Sequence, residues 1–415
     1  MLVVTSNWGL TDGTLMGGGV VGRLAHRLRV EVRRAAWRGG IRHDGRYRPI
    51  DSVDLVLAGD TFDWLTSREW VGPVKPWQAG PRAAAARDRV VTAAGRRAAR
   101  LRAVVAGWSR RGIAVPAADG RGRPAPAAVV RVPVRVTALR GDRDRWLDRL
   151  PAAAMRLLPG AAVGISWSDG AATVVHGDTL DPLHEACGVE PSLGESLAVD
   201  LVAAFGVSVD RLPAVRPLAA ALVDVLVAGA VADVAERLVG WLAADHGGGR
   251  LTEVSRSRLL AAWNESVGRW HREARRLPAR GPGGIDLVDQ LAAGLEIGAP
   301  TRRASPTTAA DATGSEPPGP PVESAVVMLG HGFSRGVGRW PHGVACLAAG
   351  AQGSWPPLTV VTGEDGARRG GRLEWLGVPG AAPHGPRDDV SAGRSLRGIW
   401  LSGGPEAGRP FIDAA

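Results

Sequence analysis

The run Val53 to Ala58 is almost wholly apolar and ends in Gly59-Asp60-Thr61-Phe62-Asp63. A short apolar run that stops at a glycine reads as a strand buried on both faces, the kind found in sheets with cover on either side. In open α/β sheets, ligands sit just beyond the carboxyl ends of the strands. Gly59 allows the tight turn needed there, and Asp60 falls at the mouth of the sheet. On this segment alone, an equally good reading is that Asp60 and Asp63 cap the next helix. The balance moves because the plan repeats. Val134 to Leu139 leads into Gly141-Asp142-Arg143-Asp144, Ala171 to Val175 into His176-Gly177-Asp178, and Ala325 to Leu329 into Gly330-His331-Gly332. The N-terminal run Leu2-Val3-Val4-Thr5-Ser6-Asn7 makes a fifth such segment. Convergence of these strand ends gathers Asp60, Asp142, His176 and His331, a carboxylate and imidazole set suited to a divalent transition metal.

Composition narrows the class. A 415-residue chain with 45% hydrophobic residues has enough material for a large core and one to three domains. The net charge of +10 is carried almost entirely by arginine, with Lys75 the single lysine. That balance suits a phosphate-bearing or nucleic-acid partner, but a solvated arginine-rich surface is the commoner source of such a charge, and no aromatic-interleaved basic patch argues for nucleic acid. Cys187 and Cys346 are far apart and show no metal-ligand spacing. Together with an N-terminus that runs straight into a strand, this predicts a cytoplasmic protein without a disulfide framework. Leu218 to Ala232 is the longest apolar stretch, and Asp224 interrupts it, so no membrane-spanning segment is expected.

In order, the corner motifs resemble those of the calcineurin-like metallophosphoesterases: D-x-H, G-D-x-x-D, G-N-H-[DE], H-G-D and G-H-x-H. The counterparts are Ser6-Asn7-Trp8-Gly9, Gly59 to Asp63, Gly141 to Asp144, His176 to Asp178, and Gly330-His331-Gly332-Phe333. Gly353-Ser354-Trp355 is similar to the family's N-x-G-S-W. Gly141-Asp142-Arg143-Asp144 and His176 to Leu180 stand nearest the UDP-2,3-diacylglucosamine hydrolase branch. The resemblance implies a two-sheet β-sandwich flanked by helices, and hydrolysis of a phosphomonoester, phosphodiester or pyrophosphate. It also implies a divalent manganese, iron or zinc centre.

The departures fall unevenly. Of the positions that hold one family metal, Asn7, Gly9, Asp60 and Phe333, only Asp60 is a strong ligand. The positions for the other are Asp60, Asp142, His176 and His331, and all four can ligate. The resemblance therefore implies one complete metal site. Arg143 stands where most of the family has a histidine. It cannot give up its proton at working pH, but it can grip phosphate oxygens and stabilise transition-state charge. With a single ion, Asn7 or Asp63 is expected to assist water activation, and Asp144 to pair with Arg143 or to cap the following segment. His184 and His342 lie near the motifs as replacement ligands or ordinary loop histidines. The alternative to an enzyme is a binding protein of the same fold with a vestigial metal.

The expected organisation is a first part of the catalytic domain at 1–182, a helical cap at 183–299, a disordered linker at 300–322 and the second part of the domain at 323–415. The linker rests on Pro, Thr, Ser and Gly with few large apolar residues. Arg82 to Arg111 reads as one or two helices, and Ala114 to Ala127 as a Pro/Gly/Arg-rich loop. In the cap, Trp263, Val267, Trp270 and Ala274 form a stripe with Arg269, Arg272, Arg275 and Arg276 on other faces. The stripe is either the cap's own core or a contact with a membrane surface or amphiphilic substrate.

Overall fold

The computed structural model describes residues 1–6, 8–15, 21–42, 44–147, 155–169, 172–178, 182–184, 191–213, 215–226, 234–243, 252–277 and 286–297, together with seven short strands between 326 and 413. The fold is mixed α/β. Strands β1 (Leu2–Thr5), β2 (Val53–Ala58), β5 (Val134–Leu139) and β6 (Ala161–Gly164) lie side by side in parallel. On the other side of β1 the sheet continues antiparallel through β12 (Leu358–Gly363), β13 (Gly371–Leu376), β14 (Arg397–Ile399) and β15 (Phe411–Asp413). A second sheet has the order β10-β11-β9-β8-β7, built from β7 (Ser166–Ser168), β8 (Ala172–Val175), β9 (Val326–Leu329), β10 (Val337–Arg339) and β11 (Ala345–Ala348).

The apolar runs are explained by what covers each face. Side chains alternate along a strand. Leu2, Val4, Val56, Ala58 and Leu139 pack against Ala172 and Val174 of β8, so one face of the parallel strands meets the second sheet. Val3, Leu55, Leu57, Val134, Val136 and Ala138 pack the other way, into a core shared with helices α1 (Val21–Arg38), α2 (Pro81–Arg97) and α3 (Ala99–Arg111). Pro133 separates β5 from the preceding strand, as a proline without an N–H donor should.

One expectation fails. Residues 114–127 are not a loop: β3 (Ile113–Ala118) and β4 (Pro124–Val132) form an antiparallel hairpin with Ile113 opposite Val132. Its turn is built by Asp119, whose Oδ1 accepts from the backbone N–H of Arg121 and Arg123, and by Gly122 at φ 70°. Prolines are tolerated because a two-stranded ribbon leaves free edges. Strands β6 and β7 are also absent from the sequence reading.

The helical stretch begins with α4 (193–210), whose middle, Leu197–Ala203, winds as a π-helix. It continues with α5 (Ala219–Leu226), α6 (Val234–Ala243), α7 (Glu253–Ala274) and α8 (Leu287–Leu295). These helices share a core of their own. Trp263, Val267, Trp270 and Ala274 are buried in it, so the stripe on α7 faces inward. Ion pairs Lys75–Asp200 and Arg68–Asp210, each 2.6 Å, tie α4 to the segment after β2. Among the described residues, no helix is long and apolar enough to cross a membrane. The expected linker at 300–322 lies outside the described residues, as do Asn7, His331, Phe333 and His342.

Candidate metal centre

Three strand ends supply the site. Beyond β2, Gly59 and Asp60 both take left-handed backbone, at φ 85° and 50°. For glycine that conformation is free; for aspartate it is uncommon and must be held by its surroundings. The restraints are visible. The Asp60 carbonyl accepts from Gly9 N–H at 3.0 Å, and the Thr61 carbonyl from Leu10 N–H at 3.1 Å, so the loop after β1 runs alongside. The Asp60 side chain accepts the Arg143 N–H through Oδ1 at 3.0 Å. Phe62, Trp64 and Trp146 stack beneath the two loops, with centroids 5.6 and 5.9 Å apart, and all three rings are buried.

The glycines of the motifs are there for space. A Cβ on Gly59 would collide with the His176 ring, and one on Gly141 with Asp60 and His176. The ligand groups therefore pack directly onto backbone that only glycine leaves open.

Asp60, Asp142 and His176 meet, with ligand atoms within 4.8 Å of one another and all three buried. His176 Nδ1 lies 2.9 Å from the Ala58 carbonyl, which can only accept, so Nδ1 carries the hydrogen. In the neutral ring that leaves the Nε2 lone pair facing Asp142 Oδ1 at 2.9 Å and Asp60 Oδ1 at 3.5 Å. A lone pair and two carboxylate oxygens at this range repel unless a proton or a cation sits among them. Donors each about 2.1 Å from one ion are themselves separated by roughly 3.0–3.4 Å, so the spacing fits a shared ion. Burial and the neighbouring Asp142 push the Asp60 carboxyl well above its ordinary range, against the pull of His176 and Arg143. A cation would relieve that excess negative charge.

Around this trio the carboxylates divide their work. Asp63 Oδ1 accepts the N–H groups of Leu65 and Thr66, and Oδ2 accepts the Thr66 hydroxyl at 2.8 Å and Arg143 Nη1 at 3.2 Å. It is a turn cap and a seat for Arg143. The guanidinium is held charged by Asp63, Asp60 and Asp142 despite its burial. Asp144 does not pair with Arg143; its oxygens accept from Phe62 N–H at 3.1 Å and Gly141 N–H at 2.7 Å, locking the second loop to the first.

Two contacts lie outside the sequence reading, which offered His184 only as a replacement ligand or an ordinary loop histidine. His184 Nδ1 stands 3.3 Å from Asp142 Oδ2, a polar contact rather than an aligned hydrogen bond. Arg145 Nε stands 2.9 Å from Glu195 Oε1 at the start of α4. Ser192 and Glu195 form a capping box, and the S-x-x-E spacing was the signal for it. Burial, opposed by Arg145, pushes the Glu195 carboxyl up to about 7.

Of the four predicted ligands, three are brought together. The fourth, His331, is outside the described residues, but β9 runs parallel to β8 with Leu329 opposite Val175. Strand β9 therefore ends at the same edge of its sheet as the strand that delivers His176. No protein-family model matches this chain, and neither a curated protein nor a solved structure matches it.

Proposed function

We propose that the chain is a metal-dependent phosphoester hydrolase, a single-metal relative of the calcineurin-like metallophosphoesterases with their two-sheet architecture. The observation that carries the reading is the meeting of Asp60, Asp142 and His176, from three separate strand ends, within one buried cluster. Their donor set and spacing suit manganese, iron or zinc, and His331 is proposed as the fourth ligand. Such an ion supplies Lewis acidity toward a phosphoryl oxygen and toward water.

The chain's own residues do the rest. Ala58 fixes the His176 ring so that Nε2 presents its lone pair. Arg143, seated on Asp63, stands beside Asp60 with Nε 3.7 Å from Oδ2. From there it grips a phosphate oxygen and stabilises the charge that builds up in the transition state. Asp63 is committed to its turn and to Arg143, so its part is to position. The proposed substrates are phosphomonoesters, phosphodiesters or pyrophosphates.

Metal analysis of protein purified without added metal is expected to give one ion per chain; a ratio near two, or near zero, overturns the single-metal reading. Asp60→Ala and His176→Ala are expected to abolish Mn²⁺-dependent hydrolysis, and a wild-type rate in either removes this site from consideration.

One observation favours a second reading, a structural ion in a binding protein. Asp60, Asp142 and His176 are 5%, 6% and 1% exposed, and structural metal sites are closed where catalytic ones keep an open position. An open cavity of about 490 Å³ among the described residues, lined by Asp54, Arg135, Trp167 and Asp169, lies at the other end of the parallel strands. A chain that holds one ion yet hydrolyses nothing in a panel of the three ester classes supports this reading over the first.

A further inference from the structure

We infer that His184 is a positioning residue for the metal centre. It holds the outer oxygen of Asp142, and the first turn of α4 keeps it in place. The inference rests on reading the Asp60–Asp142–His176 cluster as a metal site.

Asp142 has two oxygens and they face different partners. Oδ1 is 2.9 Å from His176 Nε2, inside the cluster. Oδ2 is 3.3 Å from His184 Nδ1, on the far side. His184 does not belong to the trio whose donors lie mutually within 4.8 Å, so it acts on the carboxylate and is not itself a ligand in this arrangement. A carboxylate oxygen faced at 3.3 Å by a buried imidazole nitrogen is restrained in direction, which leaves the other oxygen aimed into the cluster. Such outer partners are worth roughly 10–100-fold in metal affinity.

What fixes His184 comes from another part of the chain. Its side chain is only 2% exposed. Its ring lies against Gly194, where a Cβ would collide with Cε1, Nδ1 and Nε2. Gly194 sits in the first turn of α4, where glycine costs about 0.5–1 kcal/mol relative to alanine; the ring accounts for its presence. The same turn reaches the Gly141–Arg145 loop a second time through Glu195 and Arg145. The helical region thus touches the ligand loop at Asp142, through His184, and at Arg145, through Glu195. By linkage, whatever the helix contributes to metal binding, metal returns to the docking of the helix.

The test uses the full chain, stripped of metal and titrated with Mn²⁺ by calorimetry and with Co²⁺ by visible absorption. His184→Ala is expected to weaken both metals by roughly 10–100-fold and to change the Co²⁺ band shape. In His184→Asn the amide nitrogen falls where Nδ1 sits, and affinity should return to near the wild-type value. Gly194→Ala, which adds one methyl from the helix side, should weaken binding in the same direction as His184→Ala. Unchanged affinity in His184→Ala overturns the inference. So does an equal loss in His184→Asn, which would make the ring a space-filler. If His184→Ala does not fold, the other two variants decide: a wild-type affinity in Gly194→Ala, or a large loss in His184→Asn, overturns it. A wild-type chain that binds neither ion defeats the metal reading itself, a result distinct from all of these.

Discussion

Asp54 and Asp60 lie six residues apart, at the start and just past the end of one strand, and both are buried. They are otherwise opposites. Asp54 meets the Arg135 fork, with Nε at 2.7 Å and Nη2 at 3.1 Å, from the neighbouring strand. A buried carboxylate with an opposing charge is the ordinary solution to burying charge at all. Asp60 faces Asp142 instead, on left-handed backbone, and Arg143 and His176 beside it do not offset the burial. One end of the strand is electrostatically closed. The other is left short of positive charge in a place where the described parts of the loops after β1 and β5 are pinned to it. Excess charge held rigidly is what a cation site requires, and it is what folding alone would avoid.

The sharpest way to break this contrast is to neutralise each carboxylate in turn. Asp60→Asn should lose Mn²⁺ affinity by 100-fold or more, on the order of 3 kcal/mol, measured by calorimetry. Without metal, the same change should stabilise the fold. The sign follows from the raised pKa of Asp60. Folding holds its proton above the unfolded value, so its contribution is favourable at acid pH and is lost as pH rises through the folded pKa. The gap between Asp60→Asn and wild type in chemical denaturation should therefore widen from pH 5 to pH 8. A metal-free Asp60→Asn that is less stable than wild type at pH 8 would mean the site is not short of charge.

Two glycines near the site differ on steric grounds. Gly59 and Gly9 both have left-handed backbone, at φ 85° and 55°. A Cβ on Gly59 strikes His176, whereas one on Gly9 meets nothing within 4 Å. Gly59→Ala combines strain with overpacking and should cost about 3 kcal/mol. Gly9→Ala carries the strain alone, about 1–2 kcal/mol. Equal losses in thermal or urea unfolding would show that the ligand shell yields around Gly59.

Strands β1, β2 and β5 were legible because burial writes a largely apolar run, as at Val53 to Ala58, whereas the half-exposed β6 was not. Asp60, Asp142 and His176 were legible because each directly follows such a run. The roles of Asp144, His184 and Glu195 were not. They depend on contacts between loops and a helix that no local spacing records, such as Phe62 N–H to Asp144 or the His184 ring on Gly194. The β3–β4 hairpin was hidden by its prolines, although Asp119 and Gly122 marked its turn.

Glu195 offers a comparison with Asp60 at moderate scale. It is a carboxyl raised by burial, but it does have a partner in Arg145. Its folded value of about 7 lies above the model-peptide 4.5, so the protonated form is favoured by folding. Its contribution is full below pH 4.5 and is lost between there and pH 7, by no more than about 3 kcal/mol. Glu195→Gln should flatten that part of the stability curve in the metal-free chain. An unchanged slope would place the pH dependence elsewhere.

Asp54→Asn is the smallest change and the control for all of these. Arg135 is 72% exposed on its side chain, so water replaces much of what the pair supplies. Asparagine keeps an oxygen for one of the two guanidinium bonds. A pair with one exposed partner contributes up to about 1 kcal/mol, and the variant should lose no more than that in urea unfolding, with Mn²⁺ affinity unchanged. A loss of metal binding here would mean that the two ends of β2 are not independent. The contrast drawn between a closed charge and an open one would then describe one coupled network through the strand.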